Sequence, residues 1–302
     1  MPPLVVIAGA TATGKTALSL ELAQAIPGAE IISADSRQVY RGMDVGTAKV
    51  SAAERARIPH HGLDLADPDQ PFTAADYQRS AGEALEAIAA RGGVAILVGG
   101  TGLYLRAVAR GFALDETGHD SATRANLEER LRTDGLAALA AELTHLAPAV
   151  ASRTDLVNPR RVVRALERAL VQGDRLPPAP RGYAARQVWI GLQVEPTIHA
   201  TWMADRARTQ FEGGLLEEAR SLEERYDRNL RAFSAFGYRE AFSVLDGSLT
   251  REQAIDRTFT RTRQFARRQR TWFRAEPDID WLHATHDLLP DALLLVERVV
   301  HR

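Results

Sequence analysis

Cysteine is absent from all 302 residues. That excludes disulfides, thiolate zinc sites and cysteine nucleophiles, and it suits a reducing compartment. Long apolar runs are missing too. No stretch is long and apolar enough to span a bilayer, and Met1 to Ala8 lacks the basic lead of a secretory signal. No membrane association and a cytoplasmic location are therefore expected. Lysine is scarce: only Lys15 and Lys49 occur among 38 basic residues, and the rest are arginine. A lysine kept in so arginine-rich a chain points to a place for a compact charge. Net charge is only -1, so the total does not advertise a nucleic-acid partner. The distribution does, because Arg257 to Arg274 holds seven arginines and no acid.

The segment Leu4 to Ala8 reads as a short buried strand and Ala17 to Ala25 as a helix. Between them, Gly9-Ala10-Thr11-Ala12-Thr13-Gly14-Lys15-Thr16 matches G-x-x-x-x-G-K-[ST] in full. Strand, glycine loop and helix together make a phosphate loop. Its backbone N–H groups aim at phosphate oxygens, Lys15 adds a full charge, and the Thr16 hydroxyl suits magnesium.

A nucleotide-hydrolysing site ordinarily has a second apolar strand ending in aspartate. Here the strand Val94 to Val98 ends in Gly99-Gly100-Thr101-Gly102, with no carboxylate. Another strand, Glu30 to Ser33, ends in Ala34-Asp35-Ser36. Asp35 is left for a different task, either capping a following helix or acting as a base.

Further landmarks follow in order: Asp35 to Tyr40, Gly42 to Lys49, Pro59-His60-His61, Phe72 to Tyr77 and Gly99 to Tyr104. Then come Asn158-Pro159-Arg160-Arg161, Gly237-Tyr238-Arg239-Glu240 and Thr262 to Arg274. Together with the phosphate loop they resemble the tRNA dimethylallyltransferases over nearly the whole chain. Ala10, where that family usually has proline, and Thr13 depart from its pattern.

The resemblance implies that the loop Gly9 to Thr16 holds the diphosphate of dimethylallyl diphosphate, with Mg2+ at Thr16. It makes Asp35 the general base for an adenine N6, and Thr101 a neighbour of that base. Thr11, Lys15, Thr16 and Arg206 would stabilise the leaving diphosphate. His60 matches a site-adjacent histidine of second rank. The expected tRNA contacts are Asp35, Ser36, Arg37, Gln38, Thr101, Arg124, Arg160, Arg161, Val162, Val163 and Arg164. Gly237, Tyr238, Arg239, Arg267, Arg268, Gln269, Arg270, Thr271, Trp272 and Arg274 complete the set. The adenine, next to the anticodon, must leave its stack to be modified. A monomer is expected.

Alternating strands and helices up to about residue 115 predict a parallel sheet with helices on its faces. A helix over Ala74 to Ala90 should bury Tyr77, Leu85 and Ile88. After a polar joint at Asp115 to Ser121, helical patterns cover Ala122 to Thr133, Leu136 to Leu146 and Arg160 to Val171. The last is capped by Asn158 with Pro159 at its first position. A proline linker, Leu176 to Gly182, leads to a strand at Val188 to Val194, and the rest from about Ile198 reads as mostly helical. The expected architecture is a P-loop NTPase-like α/β core, 1–115 with 187–302, carrying an inserted helical tRNA-binding subdomain at 116–186 and a helical C-terminal region.

Three other readings compete. A small-molecule kinase explains the loop and sheet but not the arginine run. A non-catalytic RNA-binding regulator that retains a nucleotide site is another reading. A relative acting on free adenosine phosphates would share the chemistry without needing a broad basic surface.

Overall fold

The computed structural model of the chain describes residues 1–112, 114, 120–284 and 287–300. Two compact units are present, one made of 1–111 with 182–302 and the other of Phe112–Arg181. The joint expected at Asp115 to Ser121 falls largely on 115–119, outside the described residues.

The larger unit is built on six parallel strands: β1 (Leu4–Gly9), β2 (Ala29–Ser33), β3 (His60–His61), β4 (Val94–Gly99), β5 (Gln187–Gln193) and β6 (Ile279–His283). Their order is β3-β2-β4-β1-β5-β6. Every residue of β1, β2 and β4 is buried, which is why these strands are apolar almost throughout rather than alternating. Successive β1 side chains still part to opposite faces. Leu4, Val6 and Ala8 join one core, while Val5 and Ile7 join the other.

Helices α1 (Lys15–Ala25), α2 (Ala52–Arg57), α3 (Ala74–Ala90) and α4 (Gly102–Ala109) follow in sequence. As expected, α3 buries Tyr77, Leu85 and Ile88, and Tyr77 stacks on Tyr104 of α4 with ring centroids 3.8 Å apart.

The smaller unit is helical: α5 (Ser121–Thr133), α6 (Gly135–Leu146), α7 (Pro148–Ser152) and α8 (Pro159–Gln172). Its own core includes Leu127, Leu139, Leu143, Val150, Val162 and Leu166. Asn158 caps α8 by accepting the Arg161 N–H, with Pro159 at the first helical position. Glu167 is fully buried here. Arg124 and Arg164 reach it at 2.7 and 3.0 Å, and these bonds hold its pKa below the ordinary carboxylate value against the opposing pull of burial.

The larger unit resumes with α9 (Pro196–Glu212), α10 (Leu215–Glu223), α11 (Tyr238–Leu245), α12 (Arg251–Arg274) and α13 (Leu289–Val300). Helix α9 begins at Pro196 because Glu195 accepts the N–H groups of Thr197 and Ile198 and Pro196 occupies the first turn. Arg206 is therefore well inside the helix. As expected, the region after Ile198 is mostly helical, and one strand interrupts it. Ile279–His283 adds β6 beside β5, as a half-buried strand with a weak apolar signal.

Candidate active site

The loops after β1, β2 and β4 meet at the carboxyl ends of the strands, where ligands of open parallel sheets bind. They line a cavity of about 220 Å³ with Thr11, Lys15, Thr16, Asp35, Thr101 and Arg206 on its wall. The structure thus gathers the expected catalytic side chains from points far apart in sequence.

In the first loop, Lys15 Nζ donates to the Ala10 carbonyl at 2.6 Å, and Thr13 Oγ1 donates to the same oxygen at 2.9 Å. Ala10 and Thr13 are buried, so they shape the loop rather than offer side chains to a ligand. Ala12 has φ 58°, a left-handed conformation that strains any residue with a Cβ. Burial lowers the Lys15 pKa to about 7. The Arg206 charge pushes the same way, and Asp35 opposes both. Burial also lowers the pKa of Arg206, again with Asp35 opposing. Two desolvated cations side by side, one carboxylate in their field, make a place for a polyanion.

Asp35 follows β2 directly. Its carboxylate accepts the Arg37 N–H at 2.8 Å, closing a side-chain turn. Turn structure follows at 36–39, so the helix-cap alternative for Asp35 is not realised. Thr101 staples the loops after β2 and β4. Its N–H donates to Ala34 O, and its hydroxyl accepts the Ser36 N–H at 3.0 Å. The hydroxyl proton can still be donated into the cavity. The glycines around it serve packing, not ligand approach. A Cβ on Gly100 would lie 2.4 Å from Gln269 Nε2, and one on Gly102 2.5 Å from the Trp272 ring.

The rest of the β2 loop is held by partners with no local sequence signal. Glu218 accepts the N–H groups of Asp44, Val45 and Gly46, and Tyr238 donates its phenol to the same carboxylate at 2.6 Å. Gln210 donates to Gly46 O, and Arg206 reaches Thr47 O at 3.5 Å. Gln38 bridges Ser33 and the carbonyl of Thr47. Arg37 donates to Arg231 O. Lys49, whose task the sequence left open, is buried between Tyr40 O, Asp44 and Asp64. His60 lies on the cavity wall, donating from Nδ1 to Ile58 O at 2.7 Å. Its Nε2 is buried with no partner among the described residues, and burial lowers its pKa, which favours the neutral ring.

Several expected tRNA contacts prove to be internal. Gln269 is buried, its amide accepting the Thr11 N–H at 2.9 Å and donating to Gly100 O at 2.8 Å. Trp272 lies against Gly102 and under the Arg106 guanidinium, 4.4 Å from its ring centroid. Tyr238 is fully buried against Gly46. Gly237, with φ 97°, supplies the turn that starts α11. Val162 and Val163 pack in the core of the helical unit, because they sit on the apolar side of α8. The Arg124 charge is spent on Glu167. Arg270 is half-buried and donates to His199 Nδ1 at 3.1 Å. Of the remainder, Arg160, Arg161, Arg239, Arg267, Arg268, Thr271 and Arg274 are exposed, while Arg164 is half-buried beside Glu167.

Sequence reasoning missed His199, Gln210, Glu218 and the paired rings of Phe236 and Phe265, 5.2 Å apart on the cavity wall. Nothing in the sequence around His199 signals its burial or its partner.

The chain as a whole is similar to known proteins. A sequence model described as IPP transferase matches residues 38–276. A tRNA dimethylallyltransferase of Roseiflexus castenholzii is 44% identical over 307 residues, covering 100% of this chain and 98% of the relative. A crystal structure of the tRNA isopentenylpyrophosphate transferase from Bacillus halodurans is 38% identical with TM-score 0.72, covering 99% of this chain and 95% of that one. A eukaryotic dimethylallyltransferase acting on tRNA gives TM-score 0.79 at 27% identity, over 94% of this chain and 74% of its own. A phosphate loop without a second-strand acid, an aspartate after β2 and full-length likeness converge on one assignment, and the chain belongs to the IPP transferase family.

Proposed function

We propose that this chain transfers a dimethylallyl group from dimethylallyl diphosphate to N6 of the adenine next to the anticodon in tRNA. The observation that carries the reading is the meeting of Asp35, Lys15, Arg206 and Thr101 in one cavity. The adenine N6 forms a bond to the prenyl C1 as the bond from C1 to the diphosphate oxygen breaks. Asp35 takes the N6 proton, and its turn through Arg37 holds the carboxylate in place. The negative charge gathering on the leaving diphosphate meets Lys15 and Arg206. Thr101 offers its hydroxyl to the base.

No group of three His, Cys, Asp or Glu among the described residues could hold a metal. The Thr16 hydroxyl on the cavity wall fits a magnesium ion that takes most of its ligands from diphosphate and water. Bound there, the ion would neutralise charge on the phosphate oxygens. The exposed arginines of α12 (Arg263, Arg267, Arg268 and Arg274) and of α8 (Arg160 and Arg161) supply charge for tRNA phosphates. Such contacts offset the few kcal/mol needed to unstack a base.

The test is a transfer assay with labelled dimethylallyl diphosphate, magnesium and unmodified tRNA, beside arms with free AMP and with labelled ATP. Label should reach tRNA alone. Asp35→Asn should retain diphosphate and tRNA binding and lose roughly a hundredfold or more in transfer. Label reaching AMP in preference to tRNA, or phosphoryl transfer from ATP, would reject the reading.

A further inference from the structure

The Thr11 peptide is held at both polar ends by helices remote in sequence. Its N–H donates to Gln269 Oε1 of α12, and its carbonyl accepts from His199 Nε2 of α9 at 2.8 Å. Arg270 donates to His199 Nδ1, which makes that nitrogen an acceptor and places the ring proton on Nε2, facing Thr11. Gln269 uses its remaining amide group on Gly100 O, so one side chain joins the loops after β1 and β4. The next residue, Ala12, is the left-handed one. Backbone strain of that kind persists only where neighbours over-determine it. With both backbone groups taken, the hydroxyl is the polar group Thr11 has left for the cavity.

We propose that Gln269, His199 and Arg270 are positioning residues that fix the Thr11 peptide, hold the strained phosphate loop in its anion-receiving form and aim the Thr11 hydroxyl at the diphosphate. The inference rests on the reading that this loop binds a prenyl diphosphate. It also gives the two consecutive residues Gln269 and Arg270 one task from two sides: the first holds the N–H directly, the second holds the carbonyl through a histidine.

The test uses the full chain with inorganic diphosphate and magnesium as the probe, followed by calorimetry. Gln269→Leu and His199→Leu should weaken diphosphate binding roughly tenfold or more, the effect of one lost buried hydrogen bond. His199→Gln, which can place an amide N–H near the former Nε2, should stay within about threefold of the wild type. In transfer assays the KM for dimethylallyl diphosphate should rise and kcat fall in the two leucine variants, while tRNA binding without diphosphate stays unchanged. Wild-type diphosphate binding in both leucine variants would overturn the proposal. So would a His199→Gln variant no better than His199→Leu, since the hydrogen bond would then not be the agent. If Gln269→Leu does not fold, the two His199 variants decide. A wild type that binds diphosphate but moves no prenyl group to tRNA would instead sink the proposed function and leave the clamp standing.

Discussion

Lys49, in the loop after β2, has Asp64 at 2.6 Å and Asp44 at 2.8 Å. Lys15, in the loop after β1, forms no salt bridge among the described residues and donates to one carbonyl, beside the like charge of Arg206. The chain's only two lysines are both largely withdrawn from solvent, yet one is already neutralised by its own protein and the other is not. A compensated buried charge ties a loop down. An uncompensated one destabilises the fold locally and is tolerated where an incoming anion will complete it. Both loops hold a left-handed alanine, Ala12 in the first and Ala48 in the second, but the loop after β2 is pinned by Lys49 and Glu218 while the loop after β1 keeps a perturbed lysine.

The sharpest way to break the contrast is Lys15→Met. It should remove diphosphate binding and lower transfer by ~10³-fold or more, since a full charge on the leaving group is lost. The same substitution should raise the thermal midpoint of the ligand-free protein. Lys15 has a folded pKa of about 7 against an ordinary 10.5, so between those values the unfolded chain binds more protons and wild-type stability rises with pH. Below about 7 the full penalty is present. Denaturation curves across that window should show the rise in the wild type and its loss in the variant. An unchanged pH dependence would mean Lys15 titrates normally.

Lys49→Met should do the reverse. It leaves Asp44 and Asp64 without their cation, although Arg55 still pairs with Asp64 at 2.6 Å. Because both acids are partly exposed, a loss of ~2 kcal/mol in stability is expected. The transfer rate of the folded enzyme should fall only several-fold. Chemical denaturation and a transfer assay on the same sample separate the two effects. A larger loss of transfer than of stability would place Lys49 with the reacting groups.

The smallest effect is expected at the surface. Arg270 belongs to the clamp on His199, so the cleaner probes of RNA binding are Arg263 and Arg267, both exposed on α12. Replacing both with alanine should weaken tRNA binding by about tenfold and reduce its salt slope by roughly 1–2, with diphosphate binding unchanged. Titrations at several salt concentrations read both quantities. A wild-type slope with lower thermal stability would assign these arginines to the fold.

What could be read from sequence follows the same division. The phosphate loop was legible because its chemistry is local: glycines, Lys15 and Thr16 must be neighbours to wrap a phosphate. Strands β1, β2, β4 and β5 were legible because burial on both faces leaves a continuous apolar run. The two-residue β3 is too short to leave a pattern, and β6 is half-buried at an edge, so neither did. Gln269 was placed among the tRNA contacts by resemblance, because nothing nearby reveals a partner 258 residues away. Tyr238, Trp272 and Val162 were likewise placed by resemblance, without the packing that encloses them. Arg206 would read as a solvated helical residue until α9 is laid over the cavity.

The strand order also bears on how the chain is made. Strand β1 pairs with β4 on one side and with β5 on the other, Leu4 lying opposite Gln187. During synthesis the first strand therefore waits for some 180 residues before its second edge is covered. In that interval all of the helical unit is made, with a core drawn from its own residues. A nascent or truncated chain ending before Gln187 carries the sequence Leu-Val-Val-Ile-Ala-Gly as an open, wholly apolar edge. Such an edge pairs readily with other chains, so the ribosome-bound stage is where this protein is most exposed to aggregation.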